Sequence, residues 1–179
     1  MILSRFIPTW YEPHLHDINL EFLKNNGIQI VFCDLDNTLV AHHLSLPDSR
    51  AIAFINSILK NEMTPCVISN NREERVSNFC KNLPVLYLAS TKKPRRSRLI
   101  RFIESHQFDL DKCVIVGDQL LTDVWLANRL GCRSILVEPA VDSDLLITKL
   151  NRLIDRKIRS YFKRKRLLRP MGQRGGDLL

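Results

Sequence analysis

Five short apolar runs recur along the 179 residues, most of them followed by a stretch with helical spacing, and this alternation restricts the fold more than any other feature. The runs are IQIVFC (28–33), PCVIS (65–69), VLYLA (85–89), CVIVG (113–117) and SILVE (134–138). Between them lie PDSRAIAFINSILKNEM (47–63), NREERVSNFCKN (71–82), PRRSRLIRFIESHQ (94–107) and TDVWLANRLG (122–131). In the second of these, Val76, Phe79 and Cys80 share one helical face, and Gly131 closes the last as a helix C-terminal signal. Apolar strands that do not alternate with polar residues are buried on both faces, and strands separated by helices pair in parallel. The expected fold is therefore α/β: a Rossmann-like three-layer α/β/α sandwich around a mostly parallel, five-stranded sheet.

Such sheets bind ligands beyond the carboxyl ends of their strands. The first run ends in Asp34 and Asp36, the second in Ser69-Asn70-Asn71, and the fourth in Gly117-Asp118 with Asp123 one turn further. The third is followed by STKKP, which brings Lys92 and Lys93. Turn chemistry alone accounts for an Asp or Asn at one strand end, but not for this set at one edge. Carboxylates from two strands can share a hard cation, and Mg²⁺ favours one or two protein carboxylates plus phosphate oxygens. The cation offsets repulsion that would otherwise raise the acids' pKa values. A hydroxyl, adjacent N–H groups and an ammonium suit the remaining oxygens of a phosphoryl group. The site reads as one for phosphoryl transfer, and without a G-x-x-x-x-G-K-[ST] loop it lacks the phosphate cradle of an ATPase.

In that order, DLDNT, SNN, the lysine of KKP and GDQLLTD resemble the four motifs of the haloacid dehalogenase (HAD) superfamily of phosphatases, across roughly residues 28–138. DLDNTL, SNN and GDQLLTDVWLANRLG narrow the resemblance to the YqeG-type group, whose eukaryotic relatives are mitochondrial phosphatidylglycerophosphatases. The resemblance implies that Asp34 is the nucleophile and forms an aspartyl-phosphate. It makes Asp36 the acid for the leaving oxygen and then the base for water. Mg²⁺ would be held by Asp34, Asp118 and the Asp36 carbonyl, with Asp123 as a further ligand or supporting acid. Ser69 would bond a phosphoryl oxygen and Lys93, which precedes Pro94 as in the family, would neutralise charge; Lys92 is the alternative. Thr38, Asn70 and Asn71 would contact substrate. The chain departs from the family at Leu126 and Ala127, where glycine is expected. No inserted cap domain fits in the gaps after motifs one and two, so an open site is expected, closed by a bulky substrate such as a lipid head group or a macromolecule.

The charge is distributed unevenly. Residues 149–179 carry 11 Lys or Arg against two acids, a net +9, which leaves −1 for residues 1–148. We divide the chain into an N-terminal arm and helix (1–27), a phosphatase domain (28–148) and a basic amphipathic helix with its tail (149–179). The apolar stripe 146, 150, 153, 154, 158, 161 and 162 is expected to pack its first half on the sheet, leaving a basic second half for an anionic membrane surface. Losing residues 157–179 is then expected to impair turnover on vesicles and not in solution. Nucleic acid is the other polyanion that suits such a tail, disfavoured by the lack of an aromatic stacking platform. A second basic cluster, KKPRRSR (92–98), extends positive potential toward an anionic substrate. Five cysteines without C-x-x-C spacing indicate neither a disulfide framework nor zinc. With no h-region and no 18-residue apolar run, a cytoplasmic protein, peripheral on the inner face of the membrane, is expected. His42 and His43 read as loop residues, and Phe6, Pro8, Trp10 and Tyr11 as either an interfacial anchor or a clasp onto the body.

Overall fold

The computed structural model describes residues 2–140 and 149–172. Its strands are β1 (Trp10–Glu12), β2 (Ile30–Asp34), β3 (Thr64–Ile68), β4 (Leu86–Leu88), β5 (Cys113–Gly117) and β6 (Arg133–Val137). They form one sheet in the order β1-β6-β5-β2-β3-β4, with every pairing parallel. The helices are α1 (Leu20–Asn25), α2 (Ser49–Lys60), α3 (Glu73–Cys80), α4 (Ser97–Ser105), α5 (Trp125–Leu130) and α6 (Lys149–Arg164).

The central strands β2 and β5 are buried at every position, and their side chains alternate between two cores. Val31, Cys33, Val114 and Val116 face α2 and α3 through Phe54, Ile55, Ile58, Val76 and Phe79. Ile30, Phe32, Cys113 and Ile115 face α4 and α5 through Leu99, Ile103, Leu126 and Leu130. Three layers follow directly. Phe32 is fully buried, so trimming it to Ala would cost about 3–5 kcal/mol. Local signals set the helix ends: the Asp48 carboxylate accepts from the Ala51 N–H at 2.8 Å to open α2, and Gly131 takes the left-handed conformation (φ 85°) that closes α5.

The sheet has six strands where five were expected. The extra one is β1, whose three half-buried residues carry no apolar run that could announce a strand. It pairs Trp10 with Ile135 and Glu12 with Val137, covering the edge of β6. The arm is a clasp: Phe6 meets Trp125 edge-on at 5.4 Å, Trp10 meets Phe22 at 5.6 Å, and the Tyr11 hydroxyl donates to Glu138 at 2.6 Å.

In the C-terminal helix the described side chains depart from the expected division, those of Leu146 and Leu150 not being among them. Leu153 and Ile154, in its first half, are 53% and 41% exposed. The buried anchors are Asp155 and, in the second half, Ile158, Arg159 and Phe162, with Ile158 and Phe162 against Leu120, Val124 and Leu136. Positions 155, 158, 159 and 162 fall on one helical face, so the buried stripe includes an ion pair that apolar periodicity does not register. A deletion from residue 157 would therefore remove core residues as well as surface charge. Leu146 of the expected stripe and Arg174 and Asp177 of the tail lie outside the described residues.

From β2 the chain winds outward through β3 to β4, then crosses back to β5 and outward to β6. Neighbouring β2 and β5 thus mark the point where the winding reverses, which is where a doubly wound sheet opens a crevice.

Candidate active site

Asp34 is the last residue of β2 and Asp118 follows β5, so the parallel pairing of these strands brings the two acids together. Thr38 returns on the tight turn after β2, its Oγ lying 3.4 Å from both Asp34 Oδ2 and Asp118 Oδ1. That turn is built around Asn37, at φ 64°, whose N–H donates to the Val40 carbonyl at 2.6 Å. Asp123 sits in a single π-helical turn, Leu120–Val124, a distortion common at functional sites. Oxygens of Asp34, Asp118 and Asp123 lie within 4.8 Å of one another.

Lys93 is buried among them, whereas Lys92 is exposed. The Lys93 ammonium donates to Asp34, to Asp123 at 2.7 Å and to the Ile68 carbonyl at 3.3 Å. Asn70 grips its backbone, accepting the Lys93 N–H at 2.6 Å and donating to the Lys93 carbonyl at 3.1 Å. Ser69, nearly inaccessible, accepts from the Asn71 N–H at 3.1 Å. The Asp36 carboxylate lies apart from the acidic cluster, bonded to the Asn71 amide and to Arg75 at 3.0 Å. Any share it has in holding a cation rests on its backbone carbonyl.

Among the described residues three buried carboxylates gather around one buried ammonium, and buried charges of like sign are costly to bring so close together. Burial raises the Asp34 carboxyl to about 7, against the pull of Lys93 and with a further push from Asp123. Burial also opposes charge on Lys93, but Asp123 and Asp34 outweigh it and hold the lysine above its ordinary range. Three hard oxygen donors held this close together suit one divalent cation.

No cap domain is inserted: a loop joins β2 to α2, and only α3 lies between β3 and β4. Even so, Asp34 and Lys93 are each only 7% exposed, so the side chains are recessed rather than open to solvent. Beside Thr38 a cavity of about 810 Å³ is walled by Ile18, Leu39 and Phe54, with the exposed Arg50 and His14 also lining it. His43 is exposed and His42 half-buried in the loop after β2. Leu126 and Ala127, the departures from the family pattern, are fully buried in the α4/α5 core.

Sequence reasoning missed Arg75, Asp155 and Arg159. Arg159 is buried and reaches the Asp118 carbonyl across 41 residues of chain. The available signal was Asp155, the one acid in residues 149–176, four residues before an arginine.

Residues 90–155 match the HAD-hydrolase-like family. The chain is 34% identical to the probable phosphatase YqeG of Bacillus subtilis (strain 168) over 165 residues, covering 92% of this chain and 96% of that one. A stretch of 54 residues is 41% identical to the histidine biosynthesis bifunctional protein HisB of Bacteroides fragilis, covering 30% of this chain and 14% of that one. Among solved structures, an uncharacterized protein from Listeria monocytogenes serotype 4b shares the fold at a TM-score of 0.52 and 16% identity, covering 66% of this chain and 85% of the other. Similarity that runs the length of both chains, around strand ends that gather three aspartates, a serine and a lysine, places this chain in the YqeG-type, capless HAD phosphatases.

Proposed function

We propose that the protein is a Mg²⁺-dependent phosphomonoester hydrolase that works through an aspartyl-phosphate on Asp34, and that its substrate is phosphatidylglycerophosphate, met at the inner membrane face. The observation that carries the chemistry is the buried contact of Lys93 with Asp34 and Asp123 beside Asp118. Asp34 and Asp118, with the Asp36 carbonyl, would hold Mg²⁺, which supplies positive charge opposite the phosphoryl oxygens.

Asp34 attacks phosphorus, an O–P bond forms as the bond to the leaving oxygen breaks, and Asp36 delivers a proton to that oxygen. Water then attacks the acyl phosphate, Asp36 takes its proton, and phosphate leaves with Asp34 restored. Ser69, whose hydroxyl accepts the Asn71 N–H, would bond a phosphoryl oxygen. Lys93 offsets charge on Asp34, and Asp123 holds Lys93 in place.

The lipid substrate is supported by the exposed Leu153 and Ile154 beside the exposed Arg156 and Lys157 on α6, an apolar and basic surface of the kind that rests on anionic bilayers. Among the described residues no helix is long and apolar enough to cross a membrane. The purified protein with Mg²⁺ is assayed against phosphatidylglycerophosphate in mixed micelles and against soluble phosphomonoesters. Turnover of the lipid, abolished in Asp34→Asn, is expected. Turnover of soluble esters alone would reassign the substrate, and unchanged turnover in Asp34→Asn would overturn the mechanism.

A further inference from the structure

Among the α6 cations whose side chains are described, Arg159 alone is buried. Its Nε donates to Asp155 at 3.0 Å and its Nη1 to Glu138 at 3.2 Å, while Nη2 serves the carbonyls of Asp118 and of Val137, the latter at 3.3 Å. The other oxygen of Asp155 accepts the N–H groups of Leu120 at 2.7 Å and Leu121 at 3.3 Å. One ion pair thus holds both sides of the 118–121 loop, by a carbonyl at its start and by two N–H groups at the head of the π-helical turn.

We propose that the Asp155–Arg159 pair is a positioning unit that fixes the backbone of Asp118 and thereby sets the affinity of the Asp34–Asp118–Asp123 site for a divalent cation. This rests on reading those three carboxylates as a cation site. Stability alone does not call for such a pair, because apolar residues of similar volume commonly serve as well in a buried position. Apolar residues could not satisfy the Asp118 carbonyl and the Leu120 and Leu121 N–H groups, so a hydrocarbon replacement keeps the helix packed and releases the loop. Arg159 touches no reacting atom and acts through Asp118, in the way partners behind metal ligands tune a site, typically by 10- to 100-fold.

The test titrates Mn²⁺ into the full-length protein by electron paramagnetic resonance, with thermal unfolding measured alongside. Three variants are compared: Arg159→Lys, the double variant Arg159→Met/Asp155→Leu, and Lys157→Met as an exposed control. In the double variant Mn²⁺ affinity is expected to fall about 10- to 100-fold in protein that still unfolds cooperatively, with a lower melting temperature because the Asp118 carbonyl and the Leu120 and Leu121 N–H groups lose their partners. Arg159→Lys keeps the charge but loses the fork, so it too should bind Mn²⁺ at least tenfold more weakly; it serves alone if the double variant does not fold. Lys157→Met should bind as wild type does. Wild-type affinity in Arg159→Lys or the double variant, or an equal loss in Lys157→Met, would overturn the proposal. Persistent turnover in Asp34→Asn would instead overturn the catalytic mechanism, while the Mn²⁺ titration still judges this pair.

Discussion

The Lys93 ammonium lies 2.7 Å from Asp123 and also bonds Asp34, so a single cation ties the end of β2 to the turn after β5. Both Asp123 oxygens are engaged, one with Lys93 and the other with the Gln119 N–H at 3.1 Å and the Thr122 hydroxyl at 3.3 Å. Removing the ammonium leaves buried acids without their counter-charge, which is both a stability and a catalytic defect. Lys93→Met is expected to lower kcat by at least about 10²-fold, and Lys93→Arg to fail as a rescue because a planar fork does not fit a site built for a point charge. Lys92→Ala, at an exposed position, should stay within about twofold of wild type. Steady-state kinetics on a soluble phosphomonoester checks all three, and equal losses in the Lys92 and Lys93 variants would refute the assignment.

Gly117 ends β5 where the chain passes under Asp123. A Cβ built there would lie within 2.5 Å of the Asp123 Cβ and Oδ2, and Asp123 is 1% exposed, with nowhere to retreat. Gly117→Ala should therefore push the carboxylate off Lys93, lowering kcat/KM about 10- to 100-fold and stability by about 1–3 kcal/mol. Urea unfolding together with kinetics measures both, and wild-type activity in this variant would mean that Asp123 need not sit where it does.

Most of the sheet was legible because strands buried on both faces leave a continuous apolar signature. A parallel sheet then sends every strand's carboxyl end to one edge, so Asp34, Ser69, Lys93 and Asp118 could be grouped without coordinates. Strand β1 was not legible: at three half-buried residues its pairing comes from the β6 edge rather than from its own pattern. Nor was Arg159. Its side chain is one of many bases in a basic segment until tertiary packing sets it against Asp118. Asn70 was expected to contact substrate, yet its side chain is used in gripping the Lys93 backbone, a local choice that residue type does not reveal.

Burial raises Asp34 from its ordinary value near 3.8 to about 7 in the fold. Between those values the folded state binds more protons than the unfolded chain, so stability declines as pH rises from about 4 to about 7 and is flat above. In Asp34→Asn this dependence disappears. With a chelator present, the variant is expected to melt higher than wild type at pH 8, by an amount reflecting on the order of a few kcal/mol, and close to it at pH 4. Melting curves across that range, in matched buffers, decide the point; a variant no more stable at pH 8 than at pH 4, relative to wild type, would show that Asp34 carries its charge without strain.

The basic segment can be tested for membrane affinity only with its core residues intact. Ile158, Arg159 and Phe162 are buried, so a truncation that removes them would confuse lost adhesion with a damaged site. Arg156, Lys157, Lys165 and Arg166 are exposed, and replacing all four with Gln lowers the charge while sparing the buried face. Each base near an anionic surface contributes about 1 kcal/mol, so the fourfold variant should partition onto phosphatidylglycerol vesicles about 10²- to 10³-fold more weakly at low salt. Wild-type binding should weaken as salt is raised. Turnover of a soluble phosphomonoester should remain within about twofold, because the four side chains are exposed whereas the acidic cluster is buried. Vesicle co-sedimentation supplies the measurement, and unchanged partitioning in the variant would remove the electrostatic basis for placing the substrate in a bilayer.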